Sequence, residues 1–378
     1  MTEDPTGRTP VTTDDPTGRP SDEDLGPVIS ADDHMDLHVM PPTLFVDRVP
    51  RALQDRVPQV VDTADGPVWT VEGRNVGPSG RKGSGFIAAD DHGLRPGVAE
   101  QRLEDLDRDG IAATVVYGPP FGLTFVEDRE VRAACARAFN DWADEFNAVD
   151  RARLAVLAIL PVHSPEAAAE ELRRVAATGQ RGAQLGFFEA DEPPFTDAWD
   201  PFWAEVDEIG LPIHFHLSGG MHSLAFVDWQ RPAAVTVSPM QLDEALVGMC
   251  FSGVFARHPN VRVVLGESGL GWLPYVLDRM DHEFHKYRDA TVGRLDAPPS
   301  EYFRRHVFIT YEEDPIGLAF LDRIGTDNVM WASDYPHGDS TWPNSRAAIS
   351  SSALGALDPP TRRKIVHDNA ARLYMFGR

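Results

Sequence analysis

The chain has 378 residues, more than one average domain but an ordinary length for a single α/β barrel with insertions. Its 59 Asp and Glu against 35 Lys and Arg give a net charge of -24, which argues against a nucleic-acid surface, because phosphate binding needs a basic patch. Its 2 cysteines, Cys135 and Cys250, supply neither a disulfide framework nor a Cys-x-x-Cys metal site, no basic start leads into an apolar segment, and no apolar run reaches a membrane span. The expectation is a soluble cytoplasmic protein with no nucleic-acid or membrane partner.

In chain order, residues 1–27 carry "DPTGR" twice, at Asp4–Arg8 and Asp15–Arg19, amid Asp, Thr, Pro and Gly. That composition buries no core, so a disordered acidic tail is predicted ahead of one domain over residues 28–378. From Val28 onward, short apolar or β-branched runs alternate with helical patterns, the signature of a parallel sheet covered by helices. Eight such runs occur: Val28–Ala31, Ala113–Tyr117, Ala155–Leu160, Gly182–Phe187, Pro212–Leu217, Val261–Gly266, His306–Tyr311 and Asn328–Ala332. Helices such as Ser164–Gly179, with a Ser cap and proline at its start and glycine at its end, lie between them. The predicted fold is a (β/α)8 TIM barrel with a long insertion after strand one, from Met35 to Asp109. The insertion holds a glycine-rich loop, Gly73–Gly85, with Arg74, Arg81 and Lys82. Such a loop is either a lid whose cations clamp a carboxylate or phenolate, with Arg81 as the substrate-binding candidate, or a solvated hairpin. Tyr117, in "YGPPFGL" after strand two, is a candidate for an aromatic pocket wall.

A barrel gathers its active site at the carboxyl ends of its strands. Strand one ends in Asp32 and His34, strand five in His214 and His216, strand six in Glu267 and strand eight in Asp334. Residues two apart on a strand share a face, so four strand ends deliver imidazoles and carboxylates to one rim. Nitrogen and oxygen ligands of this kind suit one divalent ion, Zn2+ first, with Mn2+ or Fe2+ as alternatives. His337, three residues after Asp334, is placed to reach a substrate, whereas the helical pair His282 and His285 and the packing residues Trp272 and Trp331 are left outside the site.

"DDH" at Asp32–His34, "HFH" at strand five, "ESGLGWLPYVLDRMD" at Glu267–Asp281, "SDYPHGDSTWP" at Ser333–Pro343 and "DNAARLYMF" at Asp368–Phe376 together resemble the second amidohydrolase family. That branch of the metal-dependent amidohydrolase superfamily contains aminocarboxymuconate semialdehyde decarboxylase and γ-resorcylate decarboxylase. The resemblance runs from about Val28 to the C-terminus and implies metal ligands Asp32, His34, His216 and Asp334. It leaves His214 one layer below the metal, as a candidate for orienting its neighbours or the substrate, and it implies a homodimer. Where those decarboxylases carry a strand-six histidine, this chain has Glu267, which can act as general acid or base or as a ligand but cannot supply a protonated imidazole. The catalytic candidates are therefore Asp334 and Glu267. The expected reaction is hydrolysis of a C–N or C–O bond in a small, aromatic carboxylate or amide. The alternatives are non-oxidative decarboxylation, heterocycle-forming cyclisation, and a barrel that binds a ligand without turnover.

Overall fold

The computed structural model describes residues 22–80, 93–119, 123–217, 224 and 229–377. Its strands are β1 (Ile29–His34), β2 (Gln59–Thr63), β3 (Gly66–Val71), β4 (Arg74–Pro78), β5 (Ala113–Tyr117), β6 (Leu154–Val156), β7 (Ala158–Ile159), β8 (Ala183–Gln184), β9 (Ile213–Phe215), β10 (Val263–Leu265), β11 (Val307–Tyr311) and β12 (Val329–Trp331). Parallel pairing runs β1-β5-β6 and then β7-β8-β9-β10-β11-β12, with β6 and β7 the two halves of one strand either side of Leu157. The ring closes where β12 leaves the sheet beside β1. There His34 N donates to Tyr335 O at 2.7 Å and Asp334 N to Asp32 O at 3.1 Å. The result is the predicted (β/α)8 barrel, with each expected run holding its strand, although β1 continues three residues beyond its apolar run into Asp32, Asp33 and His34.

The strands are buried on both faces, as a parallel sheet under helices requires. The larger apolar core lies between sheet and helices. A smaller one fills the barrel interior with Ile29, Val115, Leu157, Val264, Phe308 and Met330, sealed by Tyr374 and Phe376 from the C-terminal segment. The helix Pro165–Ala177 starts as its sequence dictates, with Ser164 Oγ accepting from Ala167 N.

The insertion contains a feature absent from the sequence reading: β2, β3 and β4 form a separate antiparallel sheet. Glu72 and Gly73, both at positive φ, make the tight turn between β3 and β4, and Trp69, fully buried, packs edge-on against Phe45. The helix Ala99–Asp109 then leads into β5. Arg81 and Lys82 lie outside the described residues. Arg74 is engaged with Glu127 at 3.1 Å and with Phe125 O at 3.2 Å, which corrects its place in a substrate clamp. Of the expected tail, residues 1–21 lie outside the described residues. Asp22–Leu25 form a short 3-10 turn with Leu25 buried, and Arg346 Nη1 donates to Gly26 O at 3.0 Å, so the packed chain begins ahead of Val28.

Candidate metal centre

The barrel seam builds the site. A register irregularity between Ser30 and Asp33 in β1 turns Asp32 and His34 toward the barrel mouth and Asp33 into the wall. Asp33 accepts from Ser30 Oγ (2.7 Å), Thr114 Oγ1 (2.5 Å), Ser333 Oγ (2.7 Å) and Tyr335 N (3.2 Å), so it ties the first, second and last strand regions together rather than capping a turn. Glu267 and Asp334 leave β10 and β12 at φ 51 and 63, a left-handed conformation that side-chain-bearing residues adopt at a cost and that clusters at functional sites.

Two overlapping clusters share His34: Asp32, His34 and His216 in one, and His34, Glu267, Asp334 and His337 in the other. His34 Nε2 lies 2.9 Å from Asp334 Oδ1 and 3.6 Å from Asp32 Oδ1, and His216 Nε2 lies 3.8 Å from Asp32 Oδ1. Glu267 Oε2 stands 3.4 Å from His216 Nε2 and 3.9 Å from His34 Nε2. Asp32 Oδ1, His34 Nε2, His216 Nε2 and Asp334 Oδ1 are all buried with no hydrogen-bond partner. The opposite side of Asp32, Asp334 and His216 is occupied, whereas His34 Nδ1 is itself without a partner. Asp32 Oδ2 accepts from Glu267 N (2.8 Å) and Thr310 Oγ1 (2.6 Å), and Asp334 Oδ2 meets His337 Nδ1 at 3.0 Å. His216 Nδ1 faces Leu217 O at 3.2 Å, so its proton sits there and the Nε2 lone pair faces the carboxylates. Lone pairs and carboxylate oxygens turned toward one another repel without a cation between them. Ligands of one divalent ion at metal distances of about 2.0–2.2 Å stand roughly 3–3.5 Å apart, close to the spacings found, so the residues present fit such an ion.

The electrostatics show the same crowding. Burial, ahead of Asp334, pushes Glu267 up to about 8, and burial outweighs His34 and Thr310 to push Asp32 up to about 7. Burial also opposes ionisation of Asp334, yet His337 and His34 together hold its carboxyl well below the usual range. Burial first and His34 second push His216 down to about 3. For His337 burial favours the neutral ring, but Asp334 and Asp36 outweigh it and keep the imidazole well above its ordinary value. Glu312, at the exit of β11, is pushed up to about 10 by burial and then by Asp334.

The remaining candidates fall elsewhere. Tyr117, expected at the substrate, and His214, expected one layer below the metal to orient its neighbours or the substrate, are both 0 % exposed and lie beneath the candidate ligands. The Tyr117 hydroxyl meets His214 Nδ1 at 2.7 Å while its ring packs 4.8 Å from that of His216. The absent Cβ of Gly182 leaves room for His214, whose Nε2 would otherwise lie 2.7 Å away. His337 stacks on His34 at 4.0 Å and is held at both nitrogens, by Asp334 and by Asp36 Oδ2 at 3.1 Å, so it buttresses the candidate ligands His34 and Asp334 with both nitrogens engaged. Thr310, Asp36, Arg102 and Glu312 were missed. Thr310 was legible, since alternation in β11 turns it inward on the same face as Phe308, with Ile309 and Tyr311 turned out; the others carry no local signal.

Residues 91–376 match the amidohydrolase family Amidohydro_2. The chain belongs to this amidohydrolase family. It is thereby an enzyme of the metal-dependent hydrolase or carboxy-lyase kind. Among its curated relatives is the γ-resorcylate decarboxylase of Rhodococcus jostii (strain RHA1), 28% identical over 305 residues that cover 74% of this chain and 88% of the relative. Solved structures share the fold. An amidohydrolase from Mycobacterium avium subsp. paratuberculosis K-10 superposes with a TM-score of 0.75 at 21% identity, covering 92% of this chain and 97% of the other. A dihydroxybenzoic acid decarboxylase from Polaromonas sp. JS666, with bound manganese and the inhibitor 2-nitroresorcinol, superposes with a TM-score of 0.64 at 18% identity over 93% and 98%. Among the described residues no helix is long and apolar enough to cross a membrane.

Proposed function

We propose that the chain is a metal-dependent, non-oxidative decarboxylase of a small aromatic or unsaturated acid bearing a hydroxyl or amino group next to its carboxylate. The observation that carries the reading is the set of four buried, unpartnered atoms on Asp32, His34, His216 and Asp334, open toward the one half-exposed carboxylate among them, Glu267. The relatives tip the choice of reaction: the R. jostii enzyme is a decarboxylase, which reverses the order in which hydrolysis and decarboxylation stood on the sequence.

Asp32, His34, His216 and Asp334 would hold one divalent ion, and a donor set of imidazoles and carboxylates accepts Zn2+ or Mn2+. When bound, the ion supplies Lewis-acid anchoring of the substrate carboxylate and the neighbouring oxygen or nitrogen. The chain's own residues do the rest. Glu267, reaching over the ligands with Oε2 in van der Waals range of two imidazoles, is placed to deliver a proton to the ring carbon. That carbon gains a C–H bond as its bond to the carboxylate breaks and CO2 departs, so the electron pair of the broken bond ends in the new one. Asp334, pinned by His337, keeps an acceptor oxygen beside the substrate hydroxyl.

The test is metal analysis of the purified protein beside His216→Ala, followed by CO2 release from a panel of hydroxybenzoates and aminobenzoates. Stoichiometric metal in the wild type, its loss in the variant, and CO2 from an ortho-substituted acid support the reading. Metal with hydrolysis of aryl amides and no CO2 returns the chain to hydrolase chemistry, and no metal after loading with Zn2+ or Mn2+ refutes the centre.

A further inference from the structure

We infer that the helix Ala99–Asp109 of the insertion is a positioning element for the metal centre, acting through Arg102 on the two strand exits that carry His34 and Asp334. The inference rests on the metal-centre reading above. Arg102, Asp105 and Asp109 are spaced three and four apart, which places them on one helix face. That face is buried, at 0%, 3% and 4% exposure, where an amphipathic helix would ordinarily carry apolar side chains.

Each of the three grips the seam. Arg102 Nη1 donates to His34 O at 3.0 Å and Pro96 O at 3.4 Å, and Nη2 donates to Tyr335 O at 3.4 Å. Its counter-charge is Asp33 Oδ2 at 3.5 Å, and its guanidinium lies 5.1 Å from the centre of the Tyr335 ring. Asp105 Oδ2 accepts from the Tyr335 hydroxyl at 2.7 Å, and Asp105 O accepts from Trp342 Nε1 at 3.2 Å. Asp109 accepts from Ser345 N at 2.8 Å and Ser345 Oγ at 2.5 Å. One helix face therefore holds the carbonyl of a ligand residue at the end of β1 together with the whole segment that follows Asp334.

A buried ion pair is an expensive seal for a helix, since apolar packing of the same volume is often as stable or more so. What the arginine adds is a planar fork that fixes two carbonyls at once. Those carbonyls belong to His34 and Tyr335, on either side of the gap that His34 Nε2 and Asp334 Oδ1 span at 2.9 Å. The fork sets the distance between two ligands that come from opposite ends of the sequence.

The experiment compares Arg102→Lys with Arg174→Lys. Arg174, on the outer helix Pro165–Ala177 remote from the centre, is likewise held by several hydrogen bonds, to Glu171 on its own helix and to Asp141 on the helix Arg129–Val149. Mn2+ affinity is read by competition titration and fold stability by urea unfolding of the metal-free protein. Lysine reaches one carbonyl but cannot fork, so Arg102→Lys is expected to weaken Mn2+ binding about tenfold or more. Arg174→Lys stays within about twofold even where its unfolding midpoint falls. An Arg102→Lys protein that loses stability yet binds Mn2+ like the wild type overturns the inference. Tyr335→Phe, which removes the hydroxyl bonded to Asp105, carries the same comparison if Arg102→Lys does not fold: weaker Mn2+ binding supports the inference and unchanged binding overturns it. A wild type that takes up no metal fails the underlying reading, a result distinct from equal binding by wild type and variant.

Discussion

Thr310→Val removes a hydroxyl at nearly constant volume from beneath the proposed ligand Asp32. Thr310 Oγ1 donates to Asp32 Oδ2 at 2.6 Å, and both residues are buried, at 0% and 2% exposure. After the substitution Asp32 Oδ2 keeps a single donor, Glu267 N at 2.8 Å, and that amide still has an acceptor. One hydrogen bond to a charged group is therefore lost and no backbone donor is orphaned, a cost of about 1.5–3 kcal/mol. If the bond also aims Oδ1 into the site, metal affinity falls by about ten- to hundred-fold, or about 1.4–2.7 kcal/mol. Thr310→Ser keeps the hydroxyl and loses one methyl, about 1 kcal/mol of packing, with affinity retained. Urea unfolding of metal-free protein and Mn2+ titration separate the two quantities. Equal Mn2+ affinity for wild type and the valine variant would refute the argument that Thr310 orients a ligand.

Three further outcomes are expected. Tyr117→Phe strands His214 Nδ1 in the barrel interior, where its partner stood at 2.7 Å, and should cost about 1–3 kcal/mol in chemical unfolding; an unchanged midpoint would show that the pair is not a stabilising bond. Gly182→Ala drives a methyl to 2.7 Å from His214 Nε2 and 2.8 Å from Leu157 Cδ2, so thermal unfolding should report a loss of about 1–3 kcal/mol from overpacking. Burial, against the bonds from Ser345, pushes Asp109 up to about 6 from an ordinary 3.8. A carboxyl raised in the folded state lends stability that is full below about pH 4 and gone above about pH 6. Relative to Asp109→Asn, the wild type should therefore lose about 3 kcal/mol across that window, and parallel pH profiles for the two proteins would contradict it.

The barrel was legible because parallel strands leave a strong record: eight runs buried on both faces, each followed by an amphipathic helix, admit few other architectures. The candidate ligands could be proposed for the same reason, since strand alternation and the carboxyl-end rule turn sequence position into direction. Alternation could not tell how deep a residue sits. His214 lies one layer below the rim as the resemblance implied, but Tyr117, expected at a pocket wall, lies there too, and depth is set by the shear of the whole barrel rather than by any local pattern. The insertion was read as a loop because glycines and charges mask three short strands whose pairing is settled by the Glu72–Gly73 turn and by Trp69 packing on Phe45. Arg102 was invisible because a buried arginine is identified by its partners, and those partners, His34 O and Tyr335 O, are 68 and 233 residues away.

A buried polar atom without a partner costs about 1–3 kcal/mol, more when charged, and folded proteins keep few of them. Here Asp32 Oδ1 and His216 Nε2 on one side and Asp334 Oδ1 on the other gather around His34 Nε2, while Thr310, the Leu217 carbonyl and His337 occupy the far side of Asp32, His216 and Asp334. Other such atoms, Trp69 Nε1 and Gln180 Nε2 among them, are scattered through the fold; these are gathered around His34, and three of the four are braced from behind, a destabilised arrangement held open by the surrounding fold. The bracing comes from elements remote in sequence, including the Arg102 helix and the two residues at positive φ, Glu267 and Asp334. A cation bound there would add stability, because a ligand that binds only the folded state stabilises it by about 2.7 kcal/mol at a hundred times its dissociation constant. Preorganisation of this kind makes geometry, rather than the identity of any one side chain, the property that substitutions around the seam will disturb.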